Sequence, residues 1–368
     1  MDASGGIPRG TGDGRGRAGR DDRGTGGAVG GSDMPGGASS TDGSGNSGRT
    51  DGSSSSRRTD GSGSNGRTDG GGSSIEPEIA SQPECWLRAA GMAAEVAEIL
   101  PARGERVAVT GCGTSWFIAQ AYAAAREAAG HGQTDAFAAS EFPAGRRYDR
   151  ILALSRSGTT TEILDLLAQV GRAVPTVAIT ADAHTPVAAA AGAVVVLDFA
   201  DERSVVQTRF ATSELALLRA HLGQDLAPVA GAARRVLAAP LAAQLIEARQ
   251  FTFLGTGWTC GLASEAALKL RETAGLWTEA YPAMEYRHGP IAVTGPGSVV
   301  WLFGPTPDGL AREIAAVGGL AWLSEEDPMA ELVRVHRLAA AAAHTRGLDP
   351  DRPRNLSRSV ILDNARPG

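Results

Sequence analysis

Lysine is almost absent from this chain: of its 35 basic residues 34 are arginine, and Lys269 is the only lysine. Codon bias alone produces such a composition. An ammonium is not interchangeable with a guanidinium, however, where a compact cation must sit beside a substrate oxygen. Lys269 is therefore a pointer to a working position. Cysteine is scarce too. Cys85, Cys112 and Cys260 are odd in number and widely spaced, which argues against a disulfide framework and fits a reducing cytoplasm. No apolar run approaches the length that crosses a bilayer, so no membrane partner is expected. The net charge of −6 argues against nucleic acid as a partner.

Aromatic residues are missing from Met1 to Ser74, a stretch that holds 24 of the 49 glycines. Such a segment cannot bury enough apolar surface to offset the entropy of ordering it, so residues 1–74 are predicted to be a disordered low-complexity tail. Within it Thr-Asp-Gly recurs every nine residues, from Thr41, Thr50, Thr59 and Thr68. A nine-residue Gly/Asp period also marks a calcium-binding β-roll, but that fold needs a bulky apolar residue in each repeat and none is present. The lack of an apolar core and the many Asp argue against a signal or transit peptide.

From Ile75 onward strands and helices alternate. Helices are predicted over Glu84–Leu100, Trp116–Ala129, Thr161–Val170 and Thr212–Leu222, with strands at Arg106–Thr110, Ile151–Leu154, Thr176–Thr180 and Ala193–Leu197. An Ala-rich stretch from Val229 to Gln250 leads into a second block. Its predicted strands are Phe251–Leu254, Val299–Phe303 and Ala321–Leu323; its helices are Leu262–Ala274, Leu310–Val317 and Glu331–Thr345. This alternation predicts an α/β fold of two Rossmann-like subdomains, 75–230 and 231–368, with parallel sheets flanked by helices.

Three strand-to-helix junctions are rich in small hydrogen-bonding residues: Gly111–Ser115, Ser155–Thr160 and Gly255–Thr259. A helix N-terminus offers free N–H groups and a partial positive charge to an anion, and Ser or Thr hydroxyls add donors. Helix capping is the plainer reading of any one of them. Four hydroxyls and a glycine in six residues, directly after a buried strand, exceed what a cap needs in Ser155–Thr160. That loop lacks the Gly-Lys-Ser/Thr ending of a Walker A loop, and no Gly-x-Gly-x-x-Gly marks a dinucleotide. The expected ligand is the phosphate of a small metabolite, with no metal or organic cofactor.

Lys269 and Glu272 lie three apart on a predicted helix and share one face. A solvated pair worth about 0.3 kcal/mol is the plain reading. Downstream, His288 precedes a Gly-Pro turn. Carboxylate, ammonium and imidazole together are what aldose–ketose chemistry requires: a proton carrier, a cation for the enediolate oxygen, and a group that opens the ring.

These pieces resemble the sugar isomerase (SIS) family, most closely the isomerase half of the glutamine–fructose-6-phosphate aminotransferases. The match runs in order through Cys112–Ser115, Ser155–Thr160, Ala267–Glu272, Glu279–Tyr281, Glu285–Pro290 and Pro353–Leu356. The resemblance implies a hexose phosphate bound by Thr114, Ser115, Ser155, Arg156, Ser157 and Thr160, with Val205 and Arg358 lining the site. It implies Glu272 as the C1–C2 proton shuttle, Lys269 beside the adjacent oxygen, and His288 in ring opening, across the interface of a homodimer. Three departures stand out. The low-complexity tail occupies the place of a glutaminase with its leading Cys. Arg358 replaces the lysine that forms an imine with the ketose, and a guanidinium does not form that imine. The segment from Ser324 to Leu348 is shorter than the family pattern by a strand. The expectation is an isomerase or deaminase of (amino)hexose 6-phosphates; a non-catalytic phosphosugar sensor and an aminotransferase-like enzyme without glutaminase are the alternatives.

Overall fold

The computed structural model describes residues 73–362. The tail expected over residues 1–74 lies, except for its last two residues, outside the described residues. Two short helices, α1 (Ile75–Ala80) and α2 (Gln82–Gly91), lead into β1 (Val107–Gly111), α3 (Thr114–Ala128), β2 (Thr134–Ala138), β3 (Arg150–Leu154) and α4 (Thr161–Val170). The first block then continues with β4 (Thr176–Thr180), α5 (Pro186–Ala190), β5 (Ala193–Val196) and α6 (Arg209–His221). After α7 (Ala227–Ala238) and α8 (Ala243–Glu247) come β6 (Gln250–Gly255), α9 (Thr259–Ala274), β7 (Thr278–Pro282) and β8 (Ser298–Phe303). The described chain closes through α10 (Leu310–Ala316), β9 (Leu320–Trp322) and α11 (Pro328–Thr345).

The strands form two parallel sheets, ordered β2-β1-β3-β4-β5 and β7-β6-β8-β9. Central strands are apolar on both faces because helices cover both, and the period of two assigns each residue to a side. Val107, Val109, Leu152, Leu154, Val177 and Ile179 face a core that also holds Phe251, Phe253, Val299 and Trp301 of the second sheet. Their alternates Ala108, Ile151, Ala153 and Ala178 face a smaller core under α4, and Leu254, Val300 and Leu302 face another under α10. One continuous core thus joins the two blocks, and within it α9 packs against α3 and α11.

Two strands were not expected. Residues 134–138 (Thr-Asp-Ala-Phe-Ala) and 278–282 (Thr-Glu-Ala-Tyr-Pro) form β2 and β7, the outer strands beside β1 and β6. Each pairs on one side only and stays half-buried, so it tolerates the Asp, Glu and Pro that hide the pattern. The helix expected to reach Leu100 ends at Gly91, after which the backbone continues in turns with i→i+3 bonds such as Met92 N–H to the Ala89 carbonyl. Pro240 divides the Ala-rich stretch into α7 and α8. The short segment from Ser324 to Leu348 contains α11 and no strand.

Candidate functional site

The site is built where the first sheet's strand ends meet α9 of the second block. β3 ends at Leu154, and the Ser155–Thr160 loop turns through Gly158 at φ 62° into α4. Ser155 Oγ accepts the Gly158 N–H at 3.2 Å and Ser157 Oγ accepts the Thr159 N–H at 3.3 Å, which curls the loop around its own hydroxyls. Beside it, β1 ends at Gly111 and α3 starts at Thr114, leaving Thr114 and Ser115 buried at the helix N-terminus. Two helix N-termini with their hydroxyls therefore converge on a cavity of about 160 Å³.

The cavity brings together Thr114, Ser115, Ser155, Arg156, Ser157, Thr160, Val205, Arg358 and Glu272, every binding residue expected from the sequence together with the expected proton carrier. Lys269 stands directly behind. Its ammonium, 1 % exposed, donates to Thr114 Oγ1 at 2.9 Å and to Glu272 Oε2 at 2.6 Å. Burial alone would lower the Lys269 pKa, but Glu265 and Glu272 outweigh it and the net direction is upward. The lysine thus ties the second block to the start of α3 in the first. His288 is not brought into this group: it is exposed, in the 3₁₀ turn Glu285–His288, and does not line the cavity.

Arg156 does a different job from a free phosphate ligand. Its buried guanidinium donates to the carbonyls of Ser204 at 3.0 Å and Val205 at 2.9 Å, and lies 3.7 Å from the buried Glu202 carboxylate. It fixes the Ser204–Val205 wall while keeping positive charge beside the cavity. Arg358 bonds to the Asp201 carboxylate and the Glu202 carbonyl at the rim. The third candidate loop stays out of the site. Thr259 Oγ1 accepts the Thr256 N–H at 2.8 Å and donates to the Phe303 carbonyl at 2.8 Å, so its hydroxyl is engaged within its own turn.

Two participants escaped the sequence. Glu265, one turn before Lys269, is 1 % exposed with its carboxyl 3.5 Å from the ammonium; burial pushes its pKa up to about 8. The i, i+4, i+7 spacing of Glu265, Lys269 and Glu272 was the available signal, and it describes a solvated face equally well. Ser359 is the other. Thr159 Oγ1 donates to its hydroxyl at 2.9 Å and Ser157 Oγ at 3.1 Å, so the C-terminal segment Leu356–Val360 straps the loop and roofs the cavity. The Thr161 N–H bonds the Val360 carbonyl at 3.2 Å. Cys112, also on the wall, has its thiol pushed up to about 11 by burial and by Glu162, which keeps it a neutral, unreactive lining group at pH 7.

Residues 100–221 match the model of the SIS domain, a span that covers β1 through α6. Over 325 residues the chain is 27 % identical to a glutamine–fructose-6-phosphate aminotransferase of Methanothermobacter thermautotrophicus, covering 76 % of this chain and 54 % of that protein. An aminotransferase of the same name from a Nostoc species is 36 % identical over 154 residues, 33 % of this chain and 24 % of that one. The chain therefore spans about half or less of the length of these curated relatives. Among solved structures, a glucosamine-6-phosphate deaminase from Thermotoga maritima superposes with a TM-score of 0.66 at 24 % identity, covering 78 % of this chain and 99 % of its own. A tagatose-6-phosphate ketose/aldose isomerase from Escherichia coli gives 0.64 at 18 %, covering 79 % and 96 %. Both share the fold with this chain. Through residues 100–221 the chain is thus similar to SIS domains.

Proposed function

We propose that this protein interconverts the C1 and C2 oxidation states of a hexose 6-phosphate, as an isomerase or deaminase. The observation that carries the reading is the buried Lys269–Glu272 pair opening onto the cavity that the Ser155–Thr160 loop floors. Hydroxyls and helix N-termini suit a phosphate. Beyond it, the Glu272 carboxylate removes the proton from C2 of an aldose or C1 of a ketose and returns it to the neighbouring carbon. Lys269 stays charged and stabilises the enediolate oxygen through the pair and Thr114. Ring opening falls to His288 of a second copy, because His288 of the same chain does not line the cavity; light scattering that returns a monomer under assay conditions removes that assignment.

A rival reading as a phosphosugar sensor draws on the strap, since Ser359 occupies the hydroxyls a phosphate would take. A third, an aminotransferase-like enzyme without its glutaminase, draws on the 27 % identity and is weakened by Arg358. One experiment separates them. The protein is incubated in D₂O with fructose 6-phosphate, glucosamine 6-phosphate and tagatose 6-phosphate, and proton NMR follows the C1 and C2 hydrogens. Enediolate chemistry exchanges one of them, and Glu272→Gln slows the exchange by about 10²–10⁴-fold while sugar binding persists. Saturable binding of a sugar with no exchange of any hydrogen rejects the enzyme in favour of the sensor. Full exchange by Glu272→Gln rejects the assignment of the base.

A further inference from the structure

A second cavity, of about 620 Å³, adjoins the first, and its lining includes Arg271, Arg346, Arg352 and Arg354, of which Arg271 donates to the Thr278 carbonyl at 3.0 Å. Glu272 lines both cavities, and a single stretch of chain borders both, residues 346–355 on the second and 356–360 on the first. Among the described residues, the side chains of Arg346, Arg352 and Arg354 make no hydrogen bond and no ion pair. Of the two acids on this wall, Glu272 is paired with the Lys269 ammonium at 2.6 Å and Asp349 Oδ1 accepts the Asp351 N–H at 2.9 Å.

The plain reading is a solvated surface. It accounts for Arg346, the C-cap residue of α11, where a cation complements the helix dipole. It does not account for Arg352 and Arg354, which follow that helix in a turn anchored by the buried Pro353 and bent back at Asn355, φ 61°. A chain of net charge −6 has here a concave tract in which four arginines outnumber two acids, Glu272 and Asp349. Arginine forks match the two oxygens of a carboxylate or phosphate.

We propose that the ligand carries anionic groups at both ends: the 6-phosphate in the first cavity and a second carboxylate or phosphate, attached at the reducing end, in the arginine cavity, with the C1–C2 carbons at Glu272 between them. This rests on the phosphosugar reading above and names the substrate class within it.

Calorimetry at fixed ionic strength tests it with three sugars: fructose 6-phosphate, fructose 1,6-bisphosphate, and 1-deoxy-1-(carboxymethylamino)fructose 6-phosphate. At least one doubly anionic sugar binds about tenfold tighter than fructose 6-phosphate, and which one does so tells phosphate from carboxylate. The exposed pair Arg352→Gln/Arg354→Gln abolishes that preference and leaves fructose 6-phosphate binding unchanged. A matched loss of charge elsewhere, Arg103→Gln/Arg172→Gln, retains it. Equal binding of all three sugars by the unaltered protein overturns the proposal, as does a preference that survives in the first variant. Failure of every sugar to bind overturns the phosphosugar reading along with it, a different result from binding without preference.

Discussion

The two blocks start alike and end in different chemistry. Each opens with a buried strand closing on glycine, a Gly-rich turn and a long helix: Gly111-Cys112-Gly113 into α3, and Gly255-Thr256-Gly257 into α9. In the first block the turns after β1 and β3 leave Ser115, Ser157 and Thr160 facing a cavity. In the second, Thr259 closes its own turn through the Thr256 amide and the Phe303 carbonyl, and Trp258 lies under Arg219 at 4.7 Å. What the second block supplies instead is helix α9, whose Lys269, flanked by Glu265 and Glu272, reaches across to Thr114 of the first. Repeating an architecture does not repeat a site. In the function proposed above, the ends of the first sheet form the anion cradle and the second block brings the groups that hold and move a proton.

The sharpest way to break this comparison is at the two loop glycines. Gly158 has φ 62°, and a Cβ placed there would lie 2.1 Å from Thr185 Oγ1, the N-cap hydroxyl of α5. Gly257 has nearly the same φ, 59°, but open space around it. Gly158→Ala therefore has to displace α5 or the loop, and should cost more than about 2 kcal/mol with at least a tenfold loss of phosphosugar affinity. Gly257→Ala pays only the left-handed strain, about 1 kcal/mol, and leaves affinity alone. Urea unfolding and calorimetry read both; equal affinity losses would mean that the second loop also touches ligand.

A smaller, crossed effect should separate the hydroxyls. Ser157→Ala removes a cavity hydroxyl that is half-buried and bonded to the strap, so it weakens phosphosugar binding severalfold and changes stability by less than about 1 kcal/mol. Thr259→Val leaves the Phe303 carbonyl without its partner in the interior, which costs about 1–3 kcal/mol and no affinity. If Thr259→Val weakens binding while Ser157→Ala does not, the assignment of the cradle to the first block fails.

Most of this division was legible along the chain. The run Ile-Leu-Ala-Leu followed by Ser-Arg-Ser-Gly-Thr-Thr announced β3, its loop and α4, because a buried parallel strand and a hydroxyl-rich helix start are both local patterns. The outer strands β2 and β7 were not legible, since one-sided pairing imposes little on their residues. Helical spacing placed Lys269 beside Glu272, yet spacing cannot say whether a face meets water or protein, so Glu265 passed unnoticed. The strap over the loop joins residues some 200 positions apart, such as Thr159 and Ser359, and no local pattern encodes such a meeting. The His288 turn was recognisable as a motif, whereas its distance from the cavity is a property of the assembled fold.

The remaining test concerns protons, and it bears on the helix pair α9 and α11 behind the site. Burial holds the Glu265 carboxyl protonated up to about 8, against 4.5 for the free group. Between those values the unfolded chain ionises this group and the folded chain does not, so stability falls as pH rises. Its contribution is complete below about 4.5 and is lost as the pH passes about 8. His336 on α11 acts at the other end. Burial and the Lys269 charge hold its ring neutral down to about 3, against 6.5, so its share is present above 6.5 and lost on acidification. Glu214 on α6, fully buried with its pKa raised well above the usual value, adds to the alkaline loss from the first block. Glu265→Gln should therefore flatten the decline between pH 6 and pH 8 by about 2 kcal/mol in urea unfolding, and Glu214→Gln should remove a further part independently. An unchanged slope in Glu265→Gln would mean that the carboxyl is already ionised against Lys269 at neutral pH. The trio would then carry one net negative charge, and Glu265 would compete with Glu272 for the ammonium that the proposed chemistry requires.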